Sequence, residues 1–166
     1  EYNPEGQTYT IIFQPGDHGT RSGGGELNQT VHHGDSATPP QVTADLGWEI
    51  TGWDTDFTNV TSDLTVTAQY DQKQYSVTFR LGDHGTRTGG GELEQTIEHG
   101  KSATEPEVEV DEGWTFTGWD KDFSSVTSDL TVNAQYEENS YSLSYSAGDH
   151  GSISGTSPQR VNHGSD

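Results

Sequence analysis

The sequence contains no cysteine and no methionine. Disulfide staples and thiol chemistry are therefore excluded, and redox logic does not fix a compartment. Basic residues are scarce: 7 Lys and Arg stand against 27 Asp and Glu, for a formal net charge of −20. Nucleic acid needs clustered Lys and Arg, and anionic membrane surfaces attract the same residues, so neither is an expected partner. Apolar residues make up only 27% of the chain. No run of them approaches the ~20 residues of a spanning helix, and no membrane insertion is expected. The acidic surplus reads as a solvated, self-repelling surface. With so little apolar material, any core must depend on its aromatics.

What the chain does have is internal repetition, the feature that governs every other reading. Gly16-Asp17-His18-Gly19 returns as Gly82-Asp83-His84-Gly85 and again as Gly148-Asp149-His150-Gly151, each time 66 residues on. Residues 9–70 align with 75–136 without a gap, and 41 of 62 positions are identical. A third copy opens at Tyr141 and runs to His163-Gly164, two residues shorter in its loop. Tyr2 falls where Tyr70 and Tyr136 close their copies. The expected organisation is thus the end of a preceding copy with its linker over 1–8, a first copy over 9–70 and a linker over 71–74. A second copy over 75–136, a linker over 137–140 and the first part of a third over 141–166 complete it. The array is expected to continue at both ends.

Within one copy, Tyr9, Ile11 and Phe13 alternate with Thr8, Thr10 and Ile12, and the pattern returns as Tyr75, Val77 and Phe79. Period two with aromatic and β-branched residues predicts a strand with one buried face. Gly-Asp-His-Gly and Gly23-Gly24-Gly25 predict a turn-forming connection and exclude a helix. Leu27, Gln29 and Val31 alternate again and predict the second strand of a hairpin. From Gly34 to Asp45, Pro39-Pro40 argue for a crossing connection with one helical turn at Ser36-Ala37-Thr38. In Gly47-Trp48-Glu49-Ile50-Thr51-Gly52-Trp53, strict alternation puts Trp48 and Ile50 on one face and Trp53 on the other. A bulge at Gly52 turns Trp53 back inward. Asp54 to Phe57 reads as a loop. Leu64, Val66, Ala68 and Tyr70 predict the closing strand. Phe13, Val31, Trp48, Leu64, Val66 and their partners 66 residues on are the expected core.

The order of these elements resembles a known family. An opening strand ends in an aromatic, a glycine-rich turn follows, and Val-x-x-Gly precedes a proline. Gly-Trp-x-Ile/Phe-x-Gly-Trp comes next, and Val-Thr-x-Asp-Leu-Thr-Val-x-Ala-x-Tyr closes the copy. This is similar to the Listeria–Bacteroides repeat, also called the internalin-type B-repeat, over essentially the whole chain. The resemblance implies a mainly β protein of tandem, small β-grasp-like repeats, two complete and one truncated. It also implies a bacterial cell-surface or secreted location, service as a serial spacer or adhesive module, and no catalytic residues. The Gly-Asp-His-Gly opening and triple glycine are longer than the family's usual turn.

Individual residues add candidates to that frame. An Asp-His pair can orient a general base, but a nucleophile and an oxyanion site must accompany it, and nothing singles out either. No catalytic residue and no enzymatic activity are therefore expected, and the histidines are expected to cap or bond the turn. Asp54, Asp56, Asp120 and Asp122 pair carboxylates two apart in loops, a pattern calcium favours. Asx turns account for the same pairs without metal, and no Asp-x-Asp-x-Asp-Gly spacing exists. Calcium is the one candidate cofactor, with turn formation as the default. All four tryptophans are assigned to the core first, and Trp53 and Trp119 are also the candidates for a carbohydrate platform. Tyr141, Leu143 and Tyr145 give the third copy an apolar face without its closing strand, a candidate surface for assembly into fibres. Expected partners are other copies or subunits of the same protein, or host and surface ligands.

Overall fold

The alternation of the first strand is realised as β1 (Thr8–Gln14), in which Ile11 and Phe13 are fully buried while Ile12 faces outward. The computed structural model describes residues 6–165, so Tyr2, read as the end of a preceding copy, lies outside the described residues. The first copy continues through β2 (Gly19–Gly24), β3 (Asn28–His32), β4 (Pro40–Ala44), β5 (Trp48–Trp53) and β6 (Leu64–Gln72). A mixed sheet of order β3-β1-β6-β5 holds the core, and β2 pairs with β4 in a separate two-stranded ladder. β1 lies antiparallel to β3, with Tyr9 opposite Val31, and parallel to β6, with Phe13 opposite Val66. Parallel pairing of the first and last strands requires a crossover, which here consists of everything between β3 and β6.

The second copy repeats this plan with β7 (Gln74–Arg80), β8 (Gly85–Gly90), β9 (Glu94–Glu98), β10 (Pro106–Val110), β11 (Trp114–Trp119) and β12 (Leu130–Glu138). Its sheets have the orders β11-β12-β7-β9 and β10-β8, the same neighbours as in the first copy. The third begins with β13 (Ser140–Leu143), paired antiparallel to β14 (Gln159–Asn162) with Tyr141 opposite Val161. The chain divides into two compact units, one ending at Gln74 and the other beginning at Tyr75. Segments read as linkers are mostly strand: Lys73 alone separates β6 from β7, and Asn139 alone separates β12 from β13.

Each complete copy has its own core. Ile11, Phe13, Ala37, Val60 and Val66 form the first, and Val77, Phe79, Ala103, Val126 and Val132 the second. Val31 and Leu64 are only partly buried against it. Two expectations fail in the middle of the copy. The glycine-rich segment is a strand rather than a connection, and the proline segment supplies its partner rather than a helical turn. The ladder tolerates Pro40 because proline stands at the strand's first residue, opposite Gly24, and a register shift between Arg21 and Gly23 absorbs the extra residue. Ser36-Ala37-Thr38 has no regular secondary structure and is pinned by Ala37 N–H to the Phe57 carbonyl at 3.0 Å and Thr38 N–H to Gln29 Oε1 at 2.9 Å.

Candidate functional site

The Gly-Asp-His-Gly turn brings its histidine onto a tryptophan. Gly16 has φ of 76° and Gly82 of 67°, left-handed values that reverse the chain after β1 and β7. The His18 ring then stacks on Trp48 with centroids 3.5 Å apart and planes 7° from parallel. His84 repeats this on Trp114 at 3.6 Å and 11°. Tyr70 and Tyr136 meet the same imidazoles edge-on at 6.3 and 6.0 Å. The His18 carbonyl also accepts the Asp45 N–H at 2.8 Å, so the turn is bonded through its backbone as well. Sequence reading missed the stack; its one trace is that the histidine and the Gly-Trp tryptophan recur together in both copies.

The stack takes Trp48 and Trp114 out of the core role expected of them, whereas Trp53 and Trp119 pack inward as a bulge at the preceding glycine implies. Trp48 is half-buried and outside the core cluster, and Ile50, expected beside it, is 42% exposed. Trp53, the platform candidate, packs on the core edge-on to Phe13 at 5.1 Å and Phe57 at 6.4 Å. Trp119 does the same with Phe79 at 5.0 Å and Phe123 at 6.4 Å, and its indole N–H donates to Glu105 Oε1 at 2.7 Å. The cause is the bulge: the register shifts between Ile50 and Gly52 and between Phe116 and Gly118, with φ of 150° and 125° at the glycines. One extra residue changes the face that follows it. Trp53→Ala is expected to cost about 3–5 kcal/mol, more than Trp48→Ala, in chemical denaturation of the chain.

The aspartates are occupied as loop-to-strand fasteners. Asp54 Oδ1 accepts the Thr67 N–H at 2.8 Å, and Asp120 accepts both the backbone and side-chain N–H of Asn133 at 2.6 and 2.7 Å. Asp56 closes an Asx turn on Thr58 at 2.9 Å, and Asp122 on Ser124 at 2.8 Å. Asp63 and Asp129 likewise hold the Thr10 and Ser76 amides at 2.8 and 2.9 Å. Among the described residues no three acidic or histidine side chains gather as a metal site.

These bonds favour the charged form. The Thr67 amide holds the Asp54 carboxyl below its ordinary value, and the Thr58 hydroxyl does so for Asp56. The Asn133 side chain lowers Asp120, and the Ser124 amide lowers Asp122. A carboxyl whose folded pKa is depressed contributes stability that is complete above its unfolded value and is lost as pH falls through the folded one. Melting temperature is therefore expected to drop from about pH 5 towards about pH 2, and the double variant Asp54→Asn, Asp120→Asn to show a shallower acid limb. Thermal melts followed by circular dichroism over that range check the slope. Calcium and chelator at matched ionic strength are expected to give superimposable melts.

The remaining candidates lie on the third copy. Tyr141, Leu143 and Tyr145 are 52%, 42% and 50% exposed, and Ile153 joins them at 46%.

Comparison with known proteins agrees with this architecture. The divergent InlB B-repeat domain profile matches residues 9–74, and the Listeria-Bacteroides repeat domain profile matches residues 75–144. A protein of Evansella cellulosilytica, provisionally named a membrane protein, is 26% identical over 166 residues, covering 87% of this chain and 23% of its own length. A second protein of the same organism, provisionally named a Gly-rich membrane protein, is 26% identical over 159 residues, covering 82% of this chain and 17% of its own. The chain thus spans less than a quarter of the curated relatives it matches. No solved structure matches it. No helix among the described residues is long and apolar enough to cross a membrane.

Proposed function

We propose, on the premise that residues 9–144 belong to the InlB B-repeat and Listeria–Bacteroides repeat families, that this chain is a spacer segment of a bacterial surface protein. Repeats of these families are non-catalytic in kind and typical of surface proteins. The observation that carries the spacer reading is the serial plan. Each complete copy buries its own Phe-centred core, and a single residue, Lys73 or Asn139, separates the last strand of one copy from the first strand of the next. Units with private cores add length without depending on one another, and one-residue joints leave little slack. The acidic surface, at −20 overall, favours separation of neighbouring stalks. Small-angle scattering tests the reading. A compact globule of 166 residues has a radius of gyration of about 15 Å. A clearly larger, salt-insensitive value is expected, and a value near the globular one overturns the spacer.

A second reading, self-assembly into fibres, is supported by the exposed Tyr141, Leu143 and Tyr145. Sedimentation that stays monomeric up to millimolar concentration removes it.

A further inference from the structure

Gly113 stands at the turn before β11 with φ of 90°, and the ring of His163 from the third copy lies over it. A Cβ at position 113 would sit 2.7 Å from His163 Cγ and closer still to its Cδ2. Around this contact the backbone is threaded in both directions through Asn139. Its N–H donates to the Gly113 carbonyl at 2.7 Å, and its carbonyl accepts the His163 N–H at 2.8 Å. The Asn139 side chain is held between the Thr115 hydroxyl and the Trp114 carbonyl. Asn162, beside the histidine, donates to Glu138 Oε2 at 2.8 Å. Within its hairpin the histidine is placed by Tyr141, ring centroids 6.1 Å apart and planes at 53°.

Both halves of this arrangement recur. Tyr9–His33 and Tyr75–His99 share the tilted geometry, at 5.9 Å in each case. The turn also has its counterpart in the first copy, where Gly47 has φ of 82° and its carbonyl accepts the Lys73 N–H at 2.8 Å. A bond made only to close one hairpin would not need a glycine in another copy, nor a side chain bracketed by that copy's strand.

We infer that the Gly113 turn and the Tyr141–His163 pair are the socket and plug of a stereospecific joint by which one copy grips the opening strands of the copy that follows. The partner of the socket is a second copy of this repeat, recognised by an imidazole that fits only where no Cβ intrudes. Asn139, the one residue between strands, clamps both sides. The inference rests on the spacer reading and deepens it, by assigning the stiffness of the array to named residues.

Amide hydrogen exchange on the whole chain tests it. His163→Ala and Gly113→Ala are each expected to accelerate exchange in β13 and β14 at least about tenfold, while amides of β7 and β12 keep their rates. His163→Phe, which retains a ring, is expected to stay near the parent. In the His163→Ala background an added Cβ still meets the left-handed penalty of the Gly113 φ of 90°, but Gly113→Ala should accelerate β13 and β14 clearly less than it does in the parent, because the clashing ring is gone. Unchanged β13 and β14 rates in Gly113→Ala overturn the joint, since the histidine then serves its own hairpin alone. Equal acceleration in β7 and β12 overturns it too, because the turn would then belong to the fold of the second copy. Either failure leaves the scattering result for the spacer where it was.

Discussion

Phe79→Ala is expected to unfold the second copy and spare the first. Phe79 is 2% exposed on β7, which runs parallel to β12 with Val132 opposite. Its ring is met edge-on by Trp119 at 5.0 Å and Phe123 at 5.1 Å, so truncation strips two aromatic contacts and leaves a cavity. Phe→Ala in a packed core costs about 3–5 kcal/mol. A copy of this size stands at the weak end of domain stabilities, where that loss approaches the whole. Because the first core contains none of these residues, its own exchange protection should persist. Phe13→Ala should give the mirror result, since Phe13 is 1% exposed between Trp53 and Phe57. Peptide-resolved hydrogen exchange of both variants reads the outcome. Simultaneous loss over 9–70 and 75–136 in either variant would show one cooperative unit and remove the private-core premise.

The strands that carry those phenylalanines were legible because period-two alternation has a single structural meaning when one face is buried. β1, β3 and β6 and the Gly52 bulge all follow from it. Legibility stopped where pairing is non-local. Gly19–Gly24 carries no apolar side chain, and Pro40–Ala44, although Pro40, Val42 and Ala44 alternate with Gln41 and Thr43, opens on the second of a proline pair that opposes a strand; yet each satisfies the other's backbone. Val60 was passed over because its neighbours are polar. It is fully buried because its N–H donates to the Asp35 carbonyl while its carbonyl accepts the Gly34 N–H, which draws the loop under the crossing segment. Trp48 and Trp114 depart from the expected core for a different reason. The bulge was foreseen, but its consequence for Trp48, left facing away from the core and stacked by His18, depends on a turn some thirty residues earlier in the chain. Of the candidate sites, the Asx turns were legible because they are local, and the histidine stack and the Gly113 joint were not.

Gly91→Ala and Gly25→Ala are expected to be the most damaging glycine substitutions, although neither residue has a left-handed φ. A Cβ at Gly91 would lie 2.6 Å from the Thr104 carbonyl carbon and overlap its oxygen, and would stand 2.8 Å from Gln95 Nε2. At Gly25 the same atoms of Thr38 and Gln29 intrude at 2.8 and 2.9 Å. Relief cannot come from a side-chain rotation, because the obstruction is backbone. The obstructed carbonyl is also the one gripped by the glutamine: Gln95 Nε2 donates to Thr104 O at 2.7 Å and to Glu92 O at 2.7 Å, while its Oε1 accepts the Thr104 N–H at 2.8 Å. That amide stands in for a strand partner along the crossing segment, and displacing it leaves three polar groups to find water. Overpacking of about 1–3 kcal/mol and lost hydrogen bonds of about 1 kcal/mol each set the scale. Gly100→Ala supplies the contrast. Its φ of 77° strains an added Cβ, but no atom lies within 4 Å of it, so only the left-handed penalty of about 1–2 kcal/mol applies. Urea denaturation of the three variants should rank Gly91→Ala well below Gly100→Ala, with Gly25→Ala beside the former. The reverse order would mean that the triple glycine serves the flexibility of a turn, not the close approach of two backbone segments.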